Sequence, residues 1–232
     1  MPEVQHPTRT GQFLTIVTEV LALSPRMRRI TLTSSQIAQH SWPLGCDIAI
    51  VLFSADREIR RRYTVRTVSG DRLLLDAVLH GHGPGSAWAQ SLRVGDQVRF
   101  FGPRGQLPLA EADWLLALTD ESGLPAIAVL AEALGERPIS VLAEIADEAE
   151  QYPLPANADV RWLPRNGRPA GHCELLAEAL TGLGPPAGHG FAYLLGESRA
   201  VTQLRDALGG LGLDRGSVYA KGYWNLNSRP TR

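Results

Sequence analysis

The sequence predicts a β + α/β protein, in which a small antiparallel β-barrel is followed by an open parallel-sheet α/β domain. Three observations predict this fold class. Before about Gly105, short runs of aliphatic, β-branched and aromatic residues are separated by turn signals such as Ser69-Gly70-Asp71. After that point, strand-like and helix-like runs alternate. A length of 232 residues accommodates two domains, which we place at 1–108 and 109–232.

Six strand-like runs predict the barrel. A turn signal between neighbouring runs, at this spacing, is typical of a small antiparallel barrel. The Ser69-Gly70-Asp71 turn indicates a hairpin. The runs are 15–20, 29–33, 47–53, 61–68, 72–79 and 97–101.

The second half of the chain predicts the parallel sheet. Pro125 suits the first turn of one of its helices. Because ligands of such sheets bind at the carboxyl ends of the strands, we expect a site at that edge. The strand-like runs are 114–119, 139–145, 160–163, 191–195 and 217–221, and the helix-like runs are 125–134, 173–180 and 200–208.

Composition narrows the classes of function. A net charge of −1 argues against a general nucleic-acid binder and against a polybasic membrane surface. No apolar run reaches the ~18 residues of a membrane-spanning helix, and the N-terminus lacks a signal-peptide layout. Cys46 and Cys173 form no CxxC motif, so we expect neither a metal site nor a disulfide. We therefore expect a cytoplasmic protein, with a monomer as the default.

The first candidate site is the arginine-rich run 60–66. On a strand, Arg61, Tyr63 and Val65 share one face, and Thr64 lies on the other. An aromatic ring can lie against a flavin, a neighbouring hydroxyl can bond a flavin nitrogen, and a guanidinium can bind a diphosphate through two hydrogen bonds. An edge strand protected by its charges explains the same residues equally well.

The second candidate is the run VLHGHGPGSAWA at 78–89. It predicts a strand, a glycine-rich turn and a short helix capped by Ser86. Exposed N–H groups at such a helix start bind anions, and a diphosphate is the natural occupant. His80 and His82 are too few for a metal site without carboxylate ligands. The alternative is an ordinary strand–turn–helix corner. Three glycines and a proline in so few residues are unusual for such a corner and weaken this alternative.

The third candidate is the run TDESGLPA at 119–126. It follows the first strand of the parallel sheet, where a dinucleotide-binding domain places its binding turn, but it lacks GxGxxG. Two carboxylates, Asp120 and Glu121, would repel a diphosphate, whereas they suit the dipole of a helix start. The chemistry of these residues alone favours simple N-capping.

Taken together, these motifs resemble the siderophore-interacting proteins, which are FAD-dependent ferric-siderophore reductases related to the ferredoxin reductases. The resemblance runs through nearly the whole chain. The RxYT motif marks the wider superfamily, and its combination with the GPxSxW turn, DESGLPA and the terminal YW is specific. The matching segments are LSPRMRRITL at 23–32, RRYTVR at 61–66, HGHGPGSAWA at 80–89, GPRG at 102–105, DESGLPAI at 120–127, VRWLPR at 160–165, GES at 196–198 and KGYW at 221–224.

The resemblance implies an FAD-binding barrel at 1–108 and an NAD(P)H-binding domain at 109–232. Arg61 would hold the FAD phosphates, Tyr63 would pack on the isoalloxazine ring, and Thr64 would bond its redox-active edge. Further cofactor-binding residues implied on the FAD side are Val65, Val78, Leu79, His80, Gly83, Pro84, Gly85, Ser86 and Trp88. Asp120, Glu121 and Ser122 would lie where flavin and nicotinamide meet, and Arg165 and Glu197 on the nicotinamide side. Lys221, Tyr223 and Trp224 would lie close to the flavin, so that the implied catalytic residues are Tyr63, Thr64, Lys221 and Trp224.

The sequence departs from the family pattern in two ways, one on the nicotinamide side and one that concerns the siderophore. Thr119 stands where the family usually has glycine, and Ser122 where it usually has threonine, both on the nicotinamide side. Lys221 is the only lysine of the chain. A lysine cluster that would hold an anionic catecholate chelate therefore cannot form, which favours a neutral or cationic hydroxamate chelate.

The predicted function is reduction of a ferric siderophore by NADPH or NADH through FAD, with release of iron from the imported chelate. The sequence does not decide between NADH and NADPH. Arg161, Arg165 and Arg168 could bind the 2′-phosphate of NADPH, and they could equally be ordinary surface charges. Two alternatives also remain: a general flavin-dependent reductase with a protein acceptor, and a siderophore-binding module without turnover, which Thr119 motivates. We expect no nucleic-acid or membrane partner.

Overall fold

A computed structural model describes residues 11–54, 57–79, 83–184 and 186–226. The chain divides into two compact units, Met1–Leu107 and Pro108–Arg232. This division falls one residue before the boundary expected from the sequence. We describe each unit by itself.

The first unit is the predicted antiparallel barrel. Its strands close in the order β1-β2-β5-β4-β3-β6, and each pair of neighbours is antiparallel. One helix, α1, joins β5 to β6. The bounds are β1 (Gly11–Ser24), β2 (Met27–Thr33), β3 (Asp47–Ser54), β4 (Arg57–Ser69), β5 (Arg72–Val78), α1 (Pro84–Ser91) and β6 (Gln97–Arg104).

The barrel is held by the side chains that alternate inward along its strands. On β1, Phe13, Thr15 and Val17 are buried while their neighbours are exposed, the pattern of a strand with one face on a core. The ring of Phe13 stacks on that of Phe100 with their centroids 4.8 Å apart. Such aromatic pairs add to the free energy gained by burial.

The second unit is the predicted parallel sheet. Its five strands lie in the order β11-β10-β7-β8-β9, all parallel. The chain moves from β7 to β8 and β9, and then returns to the other side of β7. The carboxyl ends of β7 and β10 therefore form the switch point at which such sheets bind ligands. The bounds are β7 (Trp114–Thr119), α2 (Leu124–Leu134), β8 (Ile139–Ile145), β9 (Ala158–Pro164), α3 (Glu174–Thr181), β10 (Gly190–Glu197), α4 (Ser198–Ala207) and β11 (Val218–Trp224).

Two helices begin at least two residues earlier than their sequence pattern predicts. Helix α1 has Gly83 at its N-cap and Pro84 in its first turn, so the prediction that Ser86 caps it is wrong. Proline fixes a helical φ and lacks the N–H that a helix start leaves unpaired, which places the start at Pro84. Helix α4 begins at Ser198 because the Glu197 side chain accepts hydrogen bonds from the first-turn amides.

Two further findings concern residues 11–54, 57–79, 83–184 and 186–226 alone. None of their helices combines the length and the apolarity needed to cross a bilayer. Within the same ranges, no group of three or more His, Cys, Asp or Glu side chains is arranged to hold a metal ion.

We expect Arg29→Ala to lower the free energy of unfolding by about 3 kcal/mol, because it removes a partner of a buried carboxylate. Arg29 Nε and Nη2 each lie 2.8 Å from an oxygen of Asp76, whose side chain is fully buried. Urea denaturation followed by circular dichroism measures the loss. The matched control is Arg72→Ala, which breaks an exposed pair with Glu19 at 3.8 Å and should cost under about 1 kcal/mol. Equal losses in the two variants would contradict the prediction.

Candidate functional site

In the barrel unit, strand β4 and the start of helix α1 meet at one place. The hydroxyl of Tyr63 donates a hydrogen bond to the carbonyl of Gly85 at 3.2 Å. The Tyr63 and Trp88 rings lie 5.3 Å apart, centroid to centroid. A Cβ on Gly85 would lie 2.9 Å from the Tyr63 hydroxyl and 3.3 Å from Cγ of Arg61. The close approach of β4 to the helix start therefore favours glycine at this position, because a larger residue would displace the Tyr63 hydroxyl.

Among the described residues, no side chain caps the start of α1. Gly83 is extended there, and no side chain of the described residues bonds the first-turn amides. Ser86 is buried, and its Oγ has no hydrogen-bond partner among the described residues. A buried hydroxyl without a partner costs free energy, and open helix N-termini attract anions. This arrangement suits a phosphate-bearing ligand.

The other barrel residues implied by the family resemblance have structural surroundings of their own. Burial raises the pKa of the Tyr63 hydroxyl, against the opposing effect of the Arg61 charge, so the hydroxyl remains a hydrogen-bond donor. Thr64 is buried and donates to Asp47 Oδ1 at 3.4 Å. Val65 is part of the barrel core, and its amide donates to the Cys46 carbonyl.

The strand that precedes the glycine-rich turn ends at Val78, the last residue of β5. Leu79 packs against the barrel core, and its amide donates to the carbonyl of Arg26 at 2.8 Å. His80 lies outside the described residues. The structure therefore brings together Arg61, Tyr63, Gly85, Ser86 and Trp88.

In the α/β unit, Asp120 lies at the switch point between β7 and β10. Its Oδ1 accepts hydrogen bonds from the amide and the hydroxyl of Ser122. Its Oδ2 accepts from the amide of Glu197 at 3.0 Å and from Nε1 of Trp224 at 2.8 Å. One carboxylate therefore links the carboxyl ends of β7, β10 and β11.

The interpretation of Asp120 and Glu121 as N-caps of α2 is wrong. Helix α2 has Gly123 at its N-cap and no side-chain cap. Glu121 instead accepts two hydrogen bonds from the Arg165 guanidinium, at 2.6 and 3.0 Å. Arg165 also donates to Glu144 at 3.2 Å. The order β7-β8-β9 brings these three side chains together, because each belongs to the end of a neighbouring strand.

Burial dominates the electrostatics of this edge. It raises the pKa of Asp120 in spite of the hydrogen bonds that Asp120 accepts. It raises the pKa of Glu144 to about 7, although the neighbouring Arg165 charge opposes the shift. For Arg165, burial acts to lower the pKa, but bonds to Glu121 and attraction to both glutamates outweigh it, so that the pKa is raised. Arg165 therefore stays charged, whereas Glu144 titrates near neutral pH.

Glu197 fills the N-terminus of helix α4. Its Oε2 accepts from the amides of Arg199 and Ala200 at 2.6 and 2.9 Å, and its Oε1 accepts from the amide of Leu226 at 3.1 Å. Nearby on β11, the Lys221 ammonium lies 4.9 Å from the centre of the Tyr223 ring, in reach of a cation–π interaction.

A pocket of the α/β unit opens beside these carboxylates. This small cavity lies between aliphatic side chains of the sheet and of α3 and α4 and three buried carboxylates. Its lining includes Leu118, Leu176, Leu195 and Leu204, together with Asp120, Glu144 and Glu197. Sequence reasoning missed Glu144. The sequence signal that could have identified it is an acidic residue near the end of an otherwise largely apolar predicted strand.

Comparison with known families gives two matches along the chain. The model of the siderophore-interacting protein family matches residues 112–227. The model of the siderophore-interacting FAD-binding domain matches residues 48–107. An uncharacterized protein of Mycobacterium tuberculosis is 35% identical over 173 residues, which are 68% of this chain and 61% of that protein.

Solved structures show the same similarity. A siderophore utilization protein from T. fusca has a TM-score of 0.86 and 32% identity, with 96% of each chain covered. The siderophore-interacting protein SipS from Aeromonas hydrophila has a TM-score of 0.81 and 27% identity, covering 94% of this chain and 93% of that one. The ferredoxin-NADP+ reductase from Plasmodium falciparum, at 11% identity and a TM-score of 0.75, covers 91% of this chain and 96% of that one and shares the fold.

We expect Glu144→Gln to change the dependence of stability on pH. Because the folded-state pKa of Glu144 is raised from 4.5 to about 7, the contribution of this group to stability falls as pH rises through that interval and is constant above it. The neutral amide abolishes this loss and still accepts a hydrogen bond from Arg165. The unfolding free energy of the variant relative to wild type should thus rise between about pH 5 and pH 8, by at most on the order of 3 kcal/mol. Urea titrations at the two pH values measure it, and parallel behaviour of both proteins would refute it.

Proposed function

Since the chain belongs to the siderophore-interacting protein family, we propose that it is an FAD-dependent NAD(P)H:ferric-siderophore reductase that releases iron from imported ferric chelates. It carries the FAD-binding domain of that family on a fold shared with ferredoxin reductases. When bound, FAD would supply the redox chemistry that connects a two-electron nicotinamide donor to a one-electron iron acceptor. The protein's task is to bind and orient the reactants.

The observation that carries the proposal is the buried Ser86 hydroxyl, which has no partner among the described residues, at the open start of α1. A diphosphate placed there would accept hydrogen bonds from Ser86 and the first-turn amides. Arg61, adjacent to Gly85, would add a bidentate cation. Tyr63 and Trp88 offer aromatic faces beside the same helix start. These residues fit FAD.

The carboxyl edge of the parallel sheet is the proposed position of the nicotinamide dinucleotide. Its pocket joins aliphatic side chains to the carboxylates of Asp120, Glu144 and Glu197. Carboxylates accept hydrogen bonds from ribose hydroxyls. Thr119 is fully buried, and its hydroxyl donates to the carbonyl of Asp120 at 2.8 Å. Its side chain is thus turned into the protein, which supports nicotinamide turnover over a binding module without it.

The ferric chelate is the proposed substrate, and iron passes through the site as part of it. Ferrous iron binds hard oxygen ligands more weakly than ferric iron, so reduction releases the metal. With Lys221 as the only lysine, a hydroxamate chelate suits the chain better than an anionic catecholate. We further propose that the protein acts as a monomer in the cytoplasm, where imported chelates and reduced nicotinamides are both present.

The purified protein should bind FAD and show a visible flavin spectrum. Under anaerobic conditions, NADH or NADPH should bleach this spectrum, and a ferric hydroxamate should restore it while a ferrous-specific chelator reports the released iron. Failure to bind FAD, or failure of both nicotinamides to bleach the bound flavin, would refute the proposed reductase. Faster reoxidation by a ferredoxin-like acceptor than by any ferric chelate would instead favour a reductase with a protein acceptor.

Ser86→Ala should have opposite effects on the FAD-free and FAD-loaded protein. Without FAD, the substitution should stabilise the protein by about 1 kcal/mol, since it removes a buried hydroxyl that has no partner among the described residues. With FAD, it should weaken binding about tenfold, since a hydrogen bond to the diphosphate is lost. Thermal denaturation and fluorescence titration with FAD measure the two effects. Ser91→Ala, at the exposed end of the same helix, is the control and should not change FAD affinity. A Ser86→Ala protein with wild-type FAD affinity would place the diphosphate elsewhere.

A further inference from the structure

The charge of Arg165 at the carboxyl edge of the sheet is already engaged. Its Nη2 and Nη1 donate to Glu121 at 2.6 and 3.0 Å, and Nη1 also donates to Glu144 at 3.2 Å. The Arg165 side chain is 8% exposed. A guanidinium enclosed by two carboxylates cannot turn to a further anion without leaving them buried and unpaired.

The other buried charged groups of this edge are acidic. Asp120, Glu121, Glu144 and Glu197 are each no more than 8% exposed. The start of α4 could otherwise receive an anion, but the Glu197 carboxylate occupies it. Among the buried side chains of the described residues at this edge, Arg165 is thus the single cation beside four carboxylates, whereas Arg168, just after β9, and Arg199, in the first turn of α4, are exposed.

NADH and NADPH differ only at the 2′ position of the adenosine ribose. NADH carries a hydroxyl there, which can donate a hydrogen bond to a carboxylate. NADPH carries a phosphate, which adds about −1.5 to −2 charge at neutral pH and is repelled by neighbouring carboxylates. Specificity is the difference between the affinities for NADH and for NADPH. The parts that the two molecules share therefore do not affect which of them is preferred.

The position of Glu144 suits a hydrogen bond with the ribose 2′-hydroxyl of NADH. It lies at the carboxyl end of β8, the strand next to β7. In doubly wound sheets that bind NAD, an acidic residue about 20 residues beyond the first binding turn accepts the ribose 2′-hydroxyl. Glu144 follows the Asp120 turn by a similar distance and also lines the pocket.

On the basis of the proposed function, we propose that this chain selects NADH over NADPH. Glu144 accepts a hydrogen bond from the ribose hydroxyl, and Glu121 withholds the Arg165 guanidinium from a 2′-phosphate. Glu144 is the specificity-determining residue that touches the dinucleotide, and Glu121 acts through Arg165 as a positioning residue.

Binding of the oxidised dinucleotides tests this inference without turnover. Isothermal titration of the FAD-loaded protein with NAD+ and with NADP+ should give at least a tenfold lower Kd for NAD+. Equal affinities, tighter NADP+ binding, or no measurable binding of either would overturn it. A preference for NADP+ that disappears in Arg168→Ala would identify an exposed arginine as the receptor of the 2′-phosphate and would overturn it equally.

Two variants test the assigned residues. Glu144→Gln should lower the ratio of NAD+ to NADP+ affinity about tenfold, and Glu121→Gln should lower it by strengthening NADP+ binding. The control Glu148→Gln makes the same change of charge on an exposed residue just beyond β8 and should leave the ratio unchanged. An unchanged ratio in both test variants would remove these residues from the proposal. If a test variant fails to fold, the wild-type ratio still decides whether NADH is selected.

These measurements separate the inference from the proposed function. If NADPH bleaches the flavin and NADP+ binds more tightly, selection of NADH is wrong and the reductase stands. If neither nicotinamide bleaches a bound flavin, the reductase itself is wrong.

Discussion

The carboxylate of Asp120 is the group on which the carboxyl edge of the parallel sheet depends. It holds its own turn through Ser122, the end of β10 through the amide of Glu197, and the end of β11 through the indole of Trp224. Burying a carboxylate is costly unless hydrogen-bond donors surround it. Here those donors come from separate strand ends, so the same bonds that satisfy the charge also fix the geometry of the switch point. The pocket beside it is shaped by this constraint.

The N-terminus of α4 in the α/β unit is capped by a side chain, whereas that of α1 in the barrel unit is not capped by any described side chain. At α4 the protein supplies its own anion, the Glu197 carboxylate. At α1 no side chain of the described residues caps the helix, and the buried Ser86 hydroxyl is left without a partner among them. A helix N-terminus favours negative charge in both cases. The N-terminus of α1 is therefore the one of the two that suits a diphosphate from a ligand. The carboxyl edge of the parallel sheet instead presents carboxylates, which suit hydroxyl groups.

Much of the fold follows from the local pattern of the sequence. The strands β7 and β8 begin and end where their strand-like runs do, because a strand that is largely buried on both faces consists mainly of apolar residues. Strand β1 extends well beyond its predicted run in both directions, because its first residues pair with β6 and its last residues pair with β2, and pairing between distant strands is not visible in the local pattern. Strand order leaves no such local trace, and the sequence pattern alone does not determine it.

The same distinction applies to the candidate site residues of each unit. Arg61, Tyr63 and the turn before α1 could be recognised because each motif is a short segment whose chemistry is legible by itself. The Glu121–Arg165–Glu144 group could not, since its members lie 44 and 21 residues from Arg165 along the chain. Only the order β7-β8-β9 makes them neighbours. From the sequence, Arg165 is therefore a free cation that suits a 2′-phosphate, whereas in the folded protein its charge is neutralised. A preference between nicotinamides depends on which charges the tertiary structure leaves available, and long-range pairing decides that.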